Sequence, residues 1–148
     1  MEKSVKVAAL FVATLKSIYV IHQQNHWLSK GNDFYGNHLL FERIYGVAKE
    51  NVDLAAEKFV GLFGSDCLDY DLQAKMSFDV LKKYSSEKDL LEKSLKIETD
   101  FIKFCKDSYE CFKDEDTLSL GLDDMIMSIA SDHEGVVYLL KQAKGSEK

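Results

Sequence analysis

Not one of the 148 residues is proline, and over long stretches the apolar side chains return every three or four positions. Nothing in such a chain forbids the backbone ladder of a helix, and the spacing gives each helix one face to bury. From Phe34 to Leu62 the stripe runs through Phe41, Ile44, Ala48, Val52, Ala55, Phe59 and Leu62. At ~1.5 Å per residue that helix is about 40 Å long, more than most globular helices reach and suited to an up-and-down bundle. A first helix is predicted from about Ser4, a plausible cap, to about Ser29, with Phe11, Leu15, Ile18 and His22 on one face. Lys30-Gly31-Asn32-Asp33 breaks it: glycine suits the left-handed position past a helix end, and Asn32 or Asp33 can cap the second helix.

The second half repeats the pattern. A third helix is predicted from about 86 to 112, with Ser86 as its cap, and a fourth from about 117 to 143, starting near Thr117. Between Gly64 and Ser86 lies a crossover carrying a short extra helix over about 71–78, with Asp71 as its cap. The expected architecture is all-α and a single domain over 1–148. A connection of ~20 residues lets the third helix return parallel to the second, which favours a four-helix bundle with one long crossover over a chain of simple hairpins. Gly145-Ser146-Glu147-Lys148 reads as a short polar tail.

Composition excludes several functions. The formal charge is -6, and only one basic residue, Arg43, is arginine, so a surface built to neutralise phosphates or to read base edges has little material. Cys67, Cys105 and Cys111 lack metal-knuckle spacing and cannot all pair within one chain, which indicates reduced thiols and a cytoplasmic protein. The N-terminus has no secretory pattern, and no run approaches ~18 consecutive apolar residues, so no membrane partner is expected.

The polar residues that stand out are His22, His26, His38, Glu42, Asp53 and Glu57; three of the four histidines fall within seventeen residues around the first turn. Imidazole and carboxylate are suitable donors for iron or zinc. His38 and Glu42 are four apart and share a helical face, as do Asp53 and Glu57 further along the same helix. From Glu42 to Asp53 the axial distance is about 16 Å, so one ion with ligand bonds of ~2 Å cannot reach both pairs of one straight helix. Two copies packed antiparallel across a two-fold axis, however, bring the His38/Glu42 end of one beside the Asp53/Glu57 end of the other and make two sites per dimer. Such a packing centres near Val47 and Ala48, where Gly46 and Ala48 are small. His26 joins His38 if the Gly31 turn brings the helix ends together. His22, one turn earlier, either supports these ligands or sits at the core edge or on the surface; His133 is read as structural, without comparable partners.

The run His26-Trp27-Leu28-Ser29-Lys30-Gly31-Asn32-Asp33-Phe34-Tyr35, followed by His38 and by Asp53-Leu54-Ala55-Ala56-Glu57, resembles the Dps family of starvation-inducible mini-ferritins within the ferritin-like superfamily. The resemblance covers roughly residues 5–143 and is most specific in the first half. It implies a hollow dodecamer built from two-fold dimers, and Fe(II) oxidation, commonly by hydrogen peroxide, at sites between subunits, with ferric mineral stored inside. Residue by residue it implies that His26 and His38 bind iron from one subunit and Asp53 and Glu57 from its partner. Glu57 then bridges, Asp53 is a terminal or water-mediated ligand, and Glu42 is an accessory carboxylate where the family usually has aspartate. Trp27 lies close to the site in the family and either shields it, intercepts oxidising equivalents, or simply packs. Asp123 and Asp124 are candidates, by placement, for a carboxylate-lined pore, against a reading as exposed acids at a helix start.

The expected function is therefore a ferroxidase and iron store protecting against oxidative damage, with peroxide or dioxygen as oxidant and zinc as a substitute ion. DNA-binding members carry a long basic extension, whereas this chain offers only Lys3, Lys6, Lys141, Lys144 and Lys148 at its ends, so DNA binding is expected to be weak. The rival reading is a DNA-compacting or macromolecule-binding shell with vestigial metal sites. A di-iron enzyme acting on an organic substrate lacks the paired Glu-x-x-His motifs it needs.

Overall fold

In the computed structural model, which describes residues 2–145, five α-helices succeed one another: α1 Glu2–Leu28, α2 Phe34–Phe63, α3 Tyr70–Lys82, α4 Leu90–Asp114 and α5 Leu120–Lys144. A 3-10 turn over Ser65–Leu68 links α2 to α3. Ser146 to Lys148 of the expected tail lie outside the described residues. No strand occurs among the described residues, and the four long helices with one extra helix in the crossover match the expected class.

Side-chain contacts fix the directions. Ser4 near the start of α1 meets Thr117 beyond the end of α4, whereas Asn25 near the end of α1 bonds the carbonyl of Leu90 at the start of α4. α1 and α4 are thus antiparallel, and so are α1 and α2 across the short turn at Gly31. The consequence is that α2 and α4 run parallel, the arrangement that the long crossover permits.

α1 packs against α2, α3 and α4 and forms the centre of the molecule. By length and composition it would suffice to cross a membrane, which counting unbroken apolar runs does not reveal, but 61% of its most apolar window is buried within the bundle. Phe11 is the hub: its ring meets Phe59 at 5.6 Å and Phe101 at 5.3 Å, both edge to face. Each such pair adds roughly 0.5–1.5 kcal/mol beyond area burial. A second, smaller core of Phe41, Ile44, Val136 and Leu140 joins α2 to α5.

The predicted helix starts shift where a hydroxyl is engaged elsewhere. Ser4, expected to cap α1, lies inside it, buried, with its Oγ 2.7 Å from Thr117 Oγ1. Thr117 also donates to the Phe112 carbonyl, and the start of α5 passes to Ser119, which accepts from Leu122 N–H at 3.1 Å. The end of α3 keeps winding through Glu87, so α4 starts not at Ser86 but after Asp89, whose carboxylate caps Glu92 N–H at 3.2 Å. Asp69, not Asp71, caps α3, which extends to Lys82. Gly31 has φ +96°, the left-handed conformation that glycine adopts without steric cost, and it turns the chain from α1 into α2.

Candidate metal centre

The Gly31 turn brings His26, in the last turn of α1, against His38, in the second turn of α2. The rings stack at 3.8 Å between centroids and 14° between planes. His26 Nδ1 donates to the His38 carbonyl at 2.7 Å, and His38 Nδ1 donates to the His26 carbonyl at 2.8 Å. A carbonyl oxygen only accepts, so each Nδ1 must carry its hydrogen and each neutral ring keeps its lone pair on Nε2. That is the tautomer that ligation through Nε2 requires, held by the kind of backbone bond that orients metal-binding imidazoles. Phe34 stacks on His38 at 4.9 Å, and Tyr45 sets its edge on His26 at 5.5 Å. Glu42 approaches His26, its Oε2 3.9 Å from His26 Nε2.

Asp53 and Glu57 are not brought to that pair. Both are exposed further along α2, Asp53 beside Tyr19 and Lys49 and Glu57 beside Lys58 and Leu62. Among the described residues, no three His, Cys, Asp or Glu side chains of one chain converge as a metal-binding group. Trp27 is 64% exposed, next to His26 in the chain. Of the fourteen large apolar residues found exposed among the described residues, eight lie between Trp27 and Leu62. Asp123 and Asp124 sit near the start of α5; Asp123 is half-buried and accepts from the Tyr109 hydroxyl at 3.3 Å, and Asp124 is exposed.

His22 belongs elsewhere. It is fully buried, and its two ring nitrogens meet Ser94 Oγ at 2.8 Å and Glu98 Oε2 at 2.7 Å. His133, for which the sequence showed no partners, has them: its Nδ1 donates to Glu98 Oε1 at 2.6 Å, and its Nε2 lies 3.1 Å from Asn51 Nδ2. Asn25 adds a bond to Ser94 Oγ at 2.8 Å, so α1, α2, α4 and α5 all contribute to one buried polar layer. Burial pushes the Glu98 carboxyl up, but interaction with His133 and the hydrogen bonds from His133 and His22 more than offset it, leaving the group below its ordinary value. The separations are those of hydrogen bonds: two donors each ~2.0–2.1 Å from one tetrahedral ion stand about 3.3 Å apart. The layer is therefore a hydrogen-bonded support and not a second metal site. Its signal in the sequence was a carboxylate on the buried stripe of Ile97, Phe101 and Cys105.

No family model matches this chain, and no curated protein matches it. Solved structures do. The chain superposes on Dps from Thermosynechococcus elongatus with a TM-score of 0.83 at 20% identity, covering 99% of this chain and 96% of that one. An archaeal Dps homologue from Halobacterium salinarum gives 0.79 at 21% identity, covering 99% and 82%. A Dps protein from Vibrio cholerae O1, described as a member of a broad superfamily of ferritin-like diiron-carboxylate proteins, gives 0.75 at 17% identity, covering 95% and 88%. The fold is that of the Dps proteins, a ferritin-like four-helix bundle with an added short helix.

Proposed function

We propose that this chain assembles into two-fold dimers that oxidise Fe(II) at sites made by two subunits and store the ferric product in a closed shell. His26 and His38 of one subunit supply nitrogen, and the partner's Asp53 and Glu57 supply oxygen. The observation that carries this reading is the reciprocal bond between His26 and His38, which holds the two rings together and leaves the Nε2 lone pair of each for a ligand. The exposed carboxylates and apolar residues of α2 give a second copy both the missing ligands and an area to cover.

Each group has a task. The two Nε2 atoms bind the ferrous ion; the partner's Glu57 bridges, and the partner's Asp53 ligates directly or through water. Glu42, one methylene longer than aspartate and 3.9 Å from His26, assists as an accessory base or ligand. So few protein ligands leave coordination positions for water and oxidant, as an exchanging site needs. With hydrogen peroxide as oxidant, two ferrous ions each give one electron, the O–O bond breaks, and two protons complete two waters. Dioxygen is the alternative oxidant in this reading, and zinc occupies the same donors without redox chemistry. The shell is a dodecamer entered by cations past Asp123 and Asp124. The three unpaired thiols fit a reducing cytoplasm.

The test is anaerobic addition of Fe(II) followed by peroxide, with ferric absorbance recorded in time. Rapid oxidation by the unaltered protein and its loss in a combined His38→Ala, Glu57→Ala protein are expected. Equal kinetics in both would overturn the assignment.

A further inference from the structure

The proposed iron site accounts for one ligand face of His26; its other surroundings are aromatic. Tyr45 sets its ring edge-on to His26 at 5.5 Å and 74°. Tyr45 also stacks with Tyr19, at 5.5 Å and 22°. Tyr19 in turn lines a surface groove together with Asp53. A file of three rings therefore runs from His26 to the groove that Asp53 also lines. In a two-fold dimer these two ends belong to different sites, because His26 and Asp53 of one chain serve different ions. Both tyrosines are half-buried, Tyr19 against the edge of the main core, and the Tyr19 hydroxyl accepts a long bond, 3.3 Å, from Gln23 Nε2.

Resting on the ferroxidase reading, we propose that Tyr45 and Tyr19 form a one-electron path joining the two iron sites of a dimer. Peroxide takes two electrons, and a ferrous ion gives one. When only one of the two sites holds iron, the second electron must come from the protein or leave as a hydroxyl radical. Through His26, Tyr45 supplies that electron and its hydroxyl proton. One electron from Fe(II), one electron and one proton from Tyr45, and one proton from solvent convert one peroxide to two waters; the O–O bond breaks and two O–H bonds form. The products are one ferric ion and one tyrosyl radical, which stacking shares with Tyr19. A ferrous ion arriving beside Asp53 returns the electron through Tyr19, and with one solvent proton Tyr45 is restored. The tyrosines are relay residues and touch neither the ion nor the oxidant.

The experiment uses the assembled protein with less than one ferrous ion per dimer, peroxide added anaerobically, and freeze-quench electron paramagnetic resonance with a spin trap in parallel samples. The unaltered protein should show a tyrosyl signal that disappears on a second addition of ferrous ion. Tyr45→Phe should lose that signal and increase trapped hydroxyl radical, with ferrous binding unchanged by cobalt titration. Tyr19→Phe should keep the signal and slow its decay on the second addition. A tyrosyl signal that persists in Tyr45→Phe, or one that vanishes only in Trp27→Phe, overturns the path. Ferrous oxidation at a normal rate with no protein radical overturns this proposal alone, whereas absence of peroxide-driven oxidation overturns the ferroxidase reading and this one with it.

Discussion

Glu98 carries its charge at the centre of the bundle, fully buried, and only the N–H groups of His22 and His133 make that tolerable. Replacing it with glutamine keeps the shape but puts an amide N–H against a donor already there. Glu98→Gln should therefore destabilise the fold by about 3–5 kcal/mol, the range for breaking a buried ion pair by altering one member, read as a lowered urea midpoint with the helical spectrum retained. The pH dependence comes from the same interior. Glu98 is held below its ordinary value, so its contribution is present above the usual carboxylate range and disappears as the pH falls through the lowered value. Cys105 and Tyr84 move the other way: burial pushes the thiol up to about 12 from 9.0, and burial with the Asp100 hydrogen bond raises the phenol. Their contribution is complete below the ordinary thiol value and is lost as the pH rises above it. Thermal melts across pH should show a plateau that falls on both sides, and Cys105→Ala should flatten the alkaline limb; an unchanged limb would refute the assignment. His26 and His38 were legible in the sequence because residue type and spacing pointed the same way. Glu98 was not, because its two partners stand 76 and 35 positions away on other helices, and no local spacing links them.

At the level of elements, the α1–α2 turn decides whether the two histidines meet. Gly31 has φ +96° and open space where a side chain would begin, so Gly31→Ala costs only the backbone strain, about 1–2 kcal/mol. A lower melting temperature by that amount is expected, with weaker zinc binding as the reciprocal bonds lengthen. Zinc affinity unchanged alongside a lowered melting temperature would mean that the turn does not set the ligand geometry. The stripes on α1, α2, α4 and α5 were readable because a bundle helix must bury a face at the 3.6-residue period. The ends were less so. Ser4, Ser86 and Thr117 have the chemistry of caps, but a cap is chosen by where the chain turns and by which hydroxyl is free. Ser4 and Thr117 bond each other across 113 positions, and the turn after α3 passes Ser86 by. Tertiary partners thus override a local preference worth ~1 kcal/mol.

For the whole molecule, the decisive fact is that the His26/His38 pair and the Asp53/Glu57 pair cannot meet within one chain. His38 stands near the start of α2 with His26 stacked on it, and Asp53 lies about 22 Å further along α2, with Glu57 one turn beyond, a separation fixed by helix rise and so readable from residue spacing alone. The exposed apolar residues between Trp27 and Leu62 were harder to foresee, since the sequence does not say which part of a stripe faces outward. If the ligands of each ion come from two subunits, damaged chains should repair one another. A His38→Ala chain keeps its Glu57, and a Glu57→Ala chain keeps its His38; a dimer of the two has one site lacking both ligands and one site intact. Unfolding the two variants together and refolding them in equal amounts gives half mixed dimers, so about a quarter of all sites regain the full set under two-fold symmetry. Peroxide-driven ferrous oxidation should rise from near zero for either variant alone to about a quarter of the unaltered rate for the mixture. Variants refolded separately and then combined should stay inactive until subunits exchange. A site built within one chain predicts the opposite result, with no recovery in the mixture however the subunits are shuffled.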